Sequence, residues 1–202
     1  MTLACEERAE FVGLLDELTP QQWDLPSLCV GWRVRDVVAH AFGFDELTGA
    51  DLAGRMLRGR FSVARINELG VTTCTERTPE DLLAMAHAHR RPRGLTAGFG
   101  GRIALLDGMV HQQDIRRPLN VPRCIATERL RAALDFARFA PPVRGAWRAR
   151  GVQLVVDDLD WSYGRGPAVH GSGEAILMAM AGRRVALDDL TGPGKGLLAR
   201  HI

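Results

Sequence analysis

Gly31-Trp32-Arg33-Val34-Arg35-Asp36-Val37-Val38-Ala39-His40 is the stretch from which the fold is read. Val34, Val37 and Val38 recur at three- and four-residue spacing, the apolar stripe of an amphipathic helix, while Arg33, Arg35 and Asp36 give polar flanks. The pattern predicts a helix that opens at Trp32 and extends to about Leu57, with His40 inside it among apolar neighbours. Upstream, Phe11, Leu14, Leu15 and Leu18 predict a helix over 6–18, ended by Thr19 and Pro20. Downstream, Thr78-Pro79-Glu80-Asp81 is a helix start: a capping residue, proline at the first helical position and acids in the first turn. Leu82, Leu83, Met85 and Ala86 then face inward. A further helix is expected over 101–117, stopped by Pro118, and a shorter one over 127–139 with Leu130, Leu134 and Ala137 on one face.

Beyond Pro141-Pro142 the texture changes. Val152, Leu154 and Val156 alternate with polar positions, which is strand periodicity, and 161–163 and 167–169 read as further short strands. A helix over 172–181 places Ile176, Leu177 and Met180 inward; Gly192-Pro193-Gly194 is a turn, and 196–202 is expected as a final strand. The predicted architecture is mainly α: a helical bundle over 1–142 followed by a small α/β domain over 143–202.

Composition narrows the function classes. The 202 residues are 46% hydrophobic and 25% charged, values of ordinary globular proteins rather than of disordered or fibrous chains. No apolar run approaches the roughly 18 residues of a spanning helix, so no membrane partner is expected. A formal charge of +2 supplies no broad field for a polyanion, which argues against nucleic acid. Cys5, Glu6 and Glu7 follow a very short apolar start, where a secretory signal would need a basic region and an apolar core; a cytoplasmic protein is expected. Cys5, Cys29, Cys74 and Cys124 form no CxxC pair, so free thiols are expected rather than a disulfide framework or a cysteine zinc site. Lys195 is the only lysine among many arginines, a coding bias that suggests a GC-rich, actinobacterial genome.

Of the six histidines, His40 and His111 lie inside predicted helices. His87 and His89 are two apart and point away from one another on a helix, and His170 and His201 fall in the small domain. Asp107, His111 and Asp114 are spaced four and three apart, so one helix face carries all three. A carboxylate and an imidazole from one helix with a second imidazole from a facing helix is how bundle cores build metal sites. Two nitrogens and one oxygen leave positions open, which suits catalytic zinc or iron(II). The plainer alternative is a hydrogen-bonded core histidine, with Asp114 as an acceptor that orients an imidazole.

The stretch 31–40 resembles the GWxVxDVVAH signature of the mycothiol-dependent maleylpyruvate isomerases, a branch of the DinB-like superfamily. Asp107, His111, Asp114 and Ile115 are similar to the second signature, and 171–183 followed by Leu190-Thr191-Gly192-Pro193-Gly194 is similar to the family's C-terminal domain. The resemblance implies a DinB-like four-helix bundle with a divalent metal, usually zinc, held by His40, Asp107 and His111. The family's acid is typically Glu; Asp107 is one methylene shorter, which leaves Asp114 as an alternative ligand. It further implies mycothiol as thiol cosubstrate and a small acidic substrate; a monomer or a homodimer is expected. In that chemistry the metal stabilises a thiolate that adds to a cis double bond, and rotation and elimination give the trans product. Asp114 is then a catalytic candidate, and Arg183 or Arg184 the clamp for a dicarboxylate. The competing expectation is a non-catalytic DinB-like metal-binding module acting in stress response or with a protein partner.

Overall fold

A computed structural model describes all residues, Met1–Ile202, and the chain divides into two compact units, Met1–Pro122 and Arg123–Ile202. In the first unit, α1 (Thr2–Asp16), α2 (Val34–Gly43), α5 (Pro79–Ala88) and α6 (Arg102–Leu119) pack pairwise as a four-helix bundle, with α4 (Val63–Thr72) against α2 and α3 (Gly49–Arg58) against α4. Phe11, Leu15, Val34, Val37, Val38, Phe42, Leu82 and Ile115 form the core, each almost fully buried. No helix is long and apolar enough to cross a membrane.

The motif residues have separate structural jobs. Gly31 takes a left-handed φ of 80°, which a Cβ would disfavour. Asp36, in the first turn of α2, accepts the Arg33 backbone N–H at 2.9 Å, satisfying a group that the helix leaves open. The α5 start forms as the sequence predicts: Thr78 accepts from the Asp81 backbone N–H at 3.2 Å, with Pro79 in the first turn.

The helix expected over 32–57 is two helices. After α2 a single 3-10 turn, Phe44–Glu46, leads to extended Leu47, and Thr48 with Asp51 forms a reciprocal cap that starts α3. The cause of the break is Asp45. Its carboxylate is buried and accepts from Arg8 at 2.9 and 2.8 Å, from the Arg93 backbone N–H at 2.6 Å and from Thr96 Oγ1 at 2.8 Å. The stretch between α3 and α5, to which sequence assigned no element, contains α4.

Pro118 does not stop α6 but sits in its last turn. Lacking an N–H, it leaves the Asp114 carbonyl free, and that carbonyl accepts the Leu28 backbone N–H at 3.0 Å. The loop before α2 is thereby tied to α6.

In the second unit, α7 (Thr127–Ala137) packs on α9 (Gly173–Met180), and Trp161 Nε1 donates to Asp135 at 3.1 Å. The packing boundary therefore falls at Pro122, earlier than the 142/143 division expected from the Pro141-Pro142 texture change. A short helix, α8 (Gly145–Arg148), precedes a three-stranded sheet in the order β2 (Trp161–Gly164), β1 (Gln153–Val156), β3 (Ala168–Gly171), with β1 antiparallel to β2 and parallel to β3. The expected final strand over 196–202 is instead a helix, α10 (Lys195–Ala199). The β3 edge is joined there by the Thr191 bridge to His170 and by the Gly194 backbone N–H, which donates to the Ala168 carbonyl at 2.8 Å; the chain then turns into α10, with Leu198 fully buried.

The Arg8–Asp45 pair gives a stability prediction. Asp45→Ala leaves a buried guanidinium without its carboxylate and should cost about 3–5 kcal/mol in urea denaturation. Asp24→Ala, which removes half-exposed pairs with Arg33 and Arg35, should change stability by less than about 1 kcal/mol.

Candidate metal centre

His40 lies in the last turn of α2, and Asp107 and His111 lie one turn apart on α6. The structure brings the three together: Asp107 Oδ1 is 3.5 Å from His40 Nε2 and 3.5 Å from His111 Nε2. The two imidazole rings meet edge to face with centroids 4.8 Å apart. Both histidines are buried, whereas about a third of the Asp107 side chain is exposed.

The spacing bears on what this trio can hold. At 3.5 Å the contacts are long for charge-assisted hydrogen bonds, which run at about 2.7–2.9 Å. Neighbouring ligands around a tetrahedral ion with bonds of about 2.1 Å stand roughly 3.4 Å apart. The donor set suits a divalent ion, and the two oxygen–nitrogen separations match neighbouring ligands around one, with all three atoms within 4.8 Å of one another.

Around the trio, the supports of the two imidazoles differ. His111 Nδ1 is 2.9 Å from Asp114 Oδ2, and Asp114 is fully buried, so this carboxylate fixes the ring and directs Nε2 toward Asp107. Cys29 Sγ donates to the same Asp114 oxygen at 3.1 Å and lies 3.8 Å from His111 Nδ1. His40 Nδ1 is buried without a hydrogen-bond partner, and its ring is held by Trp32, at 5.2 Å between centroids, and by the edge of Phe44, at 5.7 Å. Asp114 thus faces the far nitrogen of His111, while Asp107 lies 3.5 Å from both Nε2 atoms.

Electrostatics within the cluster are strongly coupled. Burial works against ionised Asp107, but the His111 and His40 imidazoles outweigh it and hold the carboxyl far below its ordinary range. Burial likewise opposes protonated His111, and Asp107, Asp114 and Cys29 together raise its pKa well above the ordinary histidine value.

Cys29 was not legible as a neighbour of this cluster. Its place depends on the Leu28 bond to the Asp114 carbonyl and on the Ser27 hydroxyl, which accepts the Cys29 backbone N–H at 3.1 Å. Cys29, His111 and Asp114 form a second group of possible ligands. The remaining histidines lie elsewhere: His87 meets Asp16 at 2.8 Å, His170 meets Asp157 at 3.2 Å and His201 meets the Arg148 carbonyl at 3.0 Å. Arg183 and Arg184 belong to the second unit, where Arg183 donates to the Ala181 carbonyl at 3.2 Å and Arg184 to those of Ala199 and Ile202 at 3.3 and 2.6 Å.

Comparison with known proteins agrees with the bundle and its first motif. Residues 4–93 match a protein-family model described as the mycothiol maleylpyruvate isomerase N-terminal domain. The match includes His40 and ends before Asp107 and His111. A solved structure of the mycothiol-dependent maleylpyruvate isomerase superposes with a TM-score of 0.57 at 18% identity, covering 96% of this chain and 91% of that chain. A histidine-to-alanine mutant of the same enzyme gives a TM-score of 0.57 at 17% identity and the same coverage. The chain therefore has the DinB-like fold of those isomerases. No curated protein sequence matches it.

The geometry separates the two acids experimentally. His40→Ala, His111→Ala and Asp107→Ala should each nearly abolish binding of one divalent ion per chain, and Asp114→Asn should weaken it by about 10–100-fold. His87→Ala should leave it unchanged. Metal analysis and calorimetry on protein purified without a polyhistidine tag would check this, and full occupancy in His40→Ala would remove the assignment.

Proposed function

We propose that this chain is a metal- and mycothiol-dependent enzyme of the maleylpyruvate isomerase kind, acting on a small unsaturated acid. The observation that carries the reading is Asp107 Oδ1 standing 3.5 Å from two buried imidazole nitrogens, one of them backed by a fully buried carboxylate. His40, Asp107 and His111 would hold the ion, with zinc the best match to two nitrogens and one oxygen. Its divalent charge would supply stabilisation of a thiolate over a thiol at neutral pH.

The protein's own groups have distinct roles in this reading. Asp114 accepts a hydrogen bond from His111 Nδ1–H, which would fix the tautomer that leaves Nε2 as a ligand. Trp32 and Phe44 pack against the His40 ring and hold its orientation. The chemistry balances without an oxidant. The thiolate sulfur bonds to one alkene carbon as the π electrons move into the conjugated carbonyl, the resulting single bond rotates, and the electrons return as the carbon–sulfur bond breaks. The products are the trans acid and the original thiolate.

A second reading, a DinB-like metal-binding module without turnover, is favoured by one fact: the family match ends at residue 93, before two of the three candidate ligands. Thiol binding distinguishes the two. Cobalt-substituted protein mixed with mycothiol or a short analogue should show a sulfur-to-metal charge-transfer band in the near ultraviolet. Glutathione should give a weaker band, and His111→Ala none. Bound cobalt whose spectrum no thiol perturbs would favour the module.

A further inference from the structure

We propose that the first unit carries a small-anion site built on Arg55, which receives a carboxylate or phosphate group. A pocket of about 280 Å³ opens beside α2, α3 and α4, lined by Gly43, Leu47, Thr73 and Cys74 with Arg55, Arg58 and Arg77. None of His40, Asp107 or His111 lines it. The inference is therefore independent of the metal reading.

Arg55 is only 6% exposed, yet no hydrogen bond or ion pair reaches its guanidinium; its one close partner is the Phe44 ring, 5.4 Å from Cζ. Burial is the main influence on it and lowers its pKa. The carboxylates in the pocket wall are already engaged. Glu46 pairs with Arg77 through contacts of 3.1 and 2.7 Å, and Asp51 caps α3 by accepting the Thr48 backbone N–H at 3.1 Å. Arg55 and Arg58 are left as the wall's cations with no carboxylate at ion-pair distance.

Space for the guanidinium is built into α4. A Cβ on Gly70 would stand 2.8 Å from Arg55 Nη1, and Gly70 is the one buried residue of that helix. A guanidinium that is largely buried, has no acceptor from the protein and opens onto a pocket favours an anion that meets it there. A guanidinium fork matches the two oxygens of a carboxylate or phosphate. The apolar contribution of Leu47, Gly43 and Cys74 suits a ligand with an uncharged remainder.

The test uses the full chain freed of metal by chelation, titrated at constant ionic strength with inorganic phosphate, sulfate or malonate against a chloride control. Thermal unfolding and the NMR signal of Arg55 Nε–Hε are followed. At least one anion should bind saturably, raise Tm above the chloride control and shift the Arg55 signal. Arg55→Met should weaken that binding by about tenfold or more, with Arg55→Lys intermediate. A preference for malonate would assign a carboxylate ligand, and one for phosphate a phosphate ester. If Arg55→Met fails to fold, Gly70→Ala, which crowds the guanidinium, should weaken binding instead. No saturable binding, an unshifted Arg55 signal, or equal binding by Arg55→Met would overturn the site and leave only surface charge.

Discussion

Arg8 and Asp45 make the contact on which the first unit's geometry depends. The two side chains are 3% and 0% exposed and meet through both guanidinium nitrogens. Two buried charges without further partners would be a liability, since desolvation can exceed their attraction. Here the pair is saturated: Arg8 also donates to the His89 carbonyl at 2.6 Å and the Ala41 carbonyl at 3.4 Å, and Asp45 takes the Arg93 and Thr96 donors. One ion pair consequently joins α1, the end of α2, the end of α5 and the turn leading into α6. Apolar packing among these helices is tolerant of small slides; a buried fork with fixed donors is not. The positions of His40 on α2 and of Asp107 and His111 on α6 follow from that registration.

Within α6, helical spacing does the rest. Residues 107, 111 and 114 share a face, so one imidazole has a carboxylate beside each of its nitrogens, at 3.5 Å on one side and 2.9 Å on the other. The tighter contact is the fully buried one, and it decides the ring's orientation. Pro118 extends this order beyond the helix, because the Asp114 carbonyl it leaves free captures the loop carrying Cys29. A residue that removes a hydrogen bond from a helix has become the means of docking a loop on it.

What could be read from sequence was what depends on spacing along the chain. The apolar stripes gave the helices, the 107–111–114 interval gave a shared face, and Thr78-Pro79 gave a helix start. The helix predicted over 32–57 failed because nothing in the local pattern after Val34, Val37 and Val38 marks an end, while Asp45 at the break is held by Arg8, 37 residues away in the chain. The Thr48-x-x-Asp51 cap was a local sign of it. Cys29 and the placement of α7 with the second unit depend in the same way on partners far along the chain, the Asp114 carbonyl and Trp161. The 196–202 strand failed for a different reason: a pair of adjacent leucines fits a helical turn as readily as a buried strand.

Two buried arginines in this unit rest on aromatic rings two residues apart, and the comparison shows what a guanidinium needs here. Arg8 lies 5.1 Å from the Phe42 centroid and Arg55 5.4 Å from that of Phe44. The first adds a bidentate carboxylate and two carbonyls to its ring, whereas the second has the ring alone. A cation–π contact is worth about 0.5–2 kcal/mol, less than a hydrogen-bonded carboxylate gives a buried guanidinium. Arg8 is closed in by protein acceptors on every side that its bonds describe, and Arg55 faces a cavity. The difference in surroundings is a difference in role: one guanidinium has its anion within the chain, and the other is placed where an anion must come from outside.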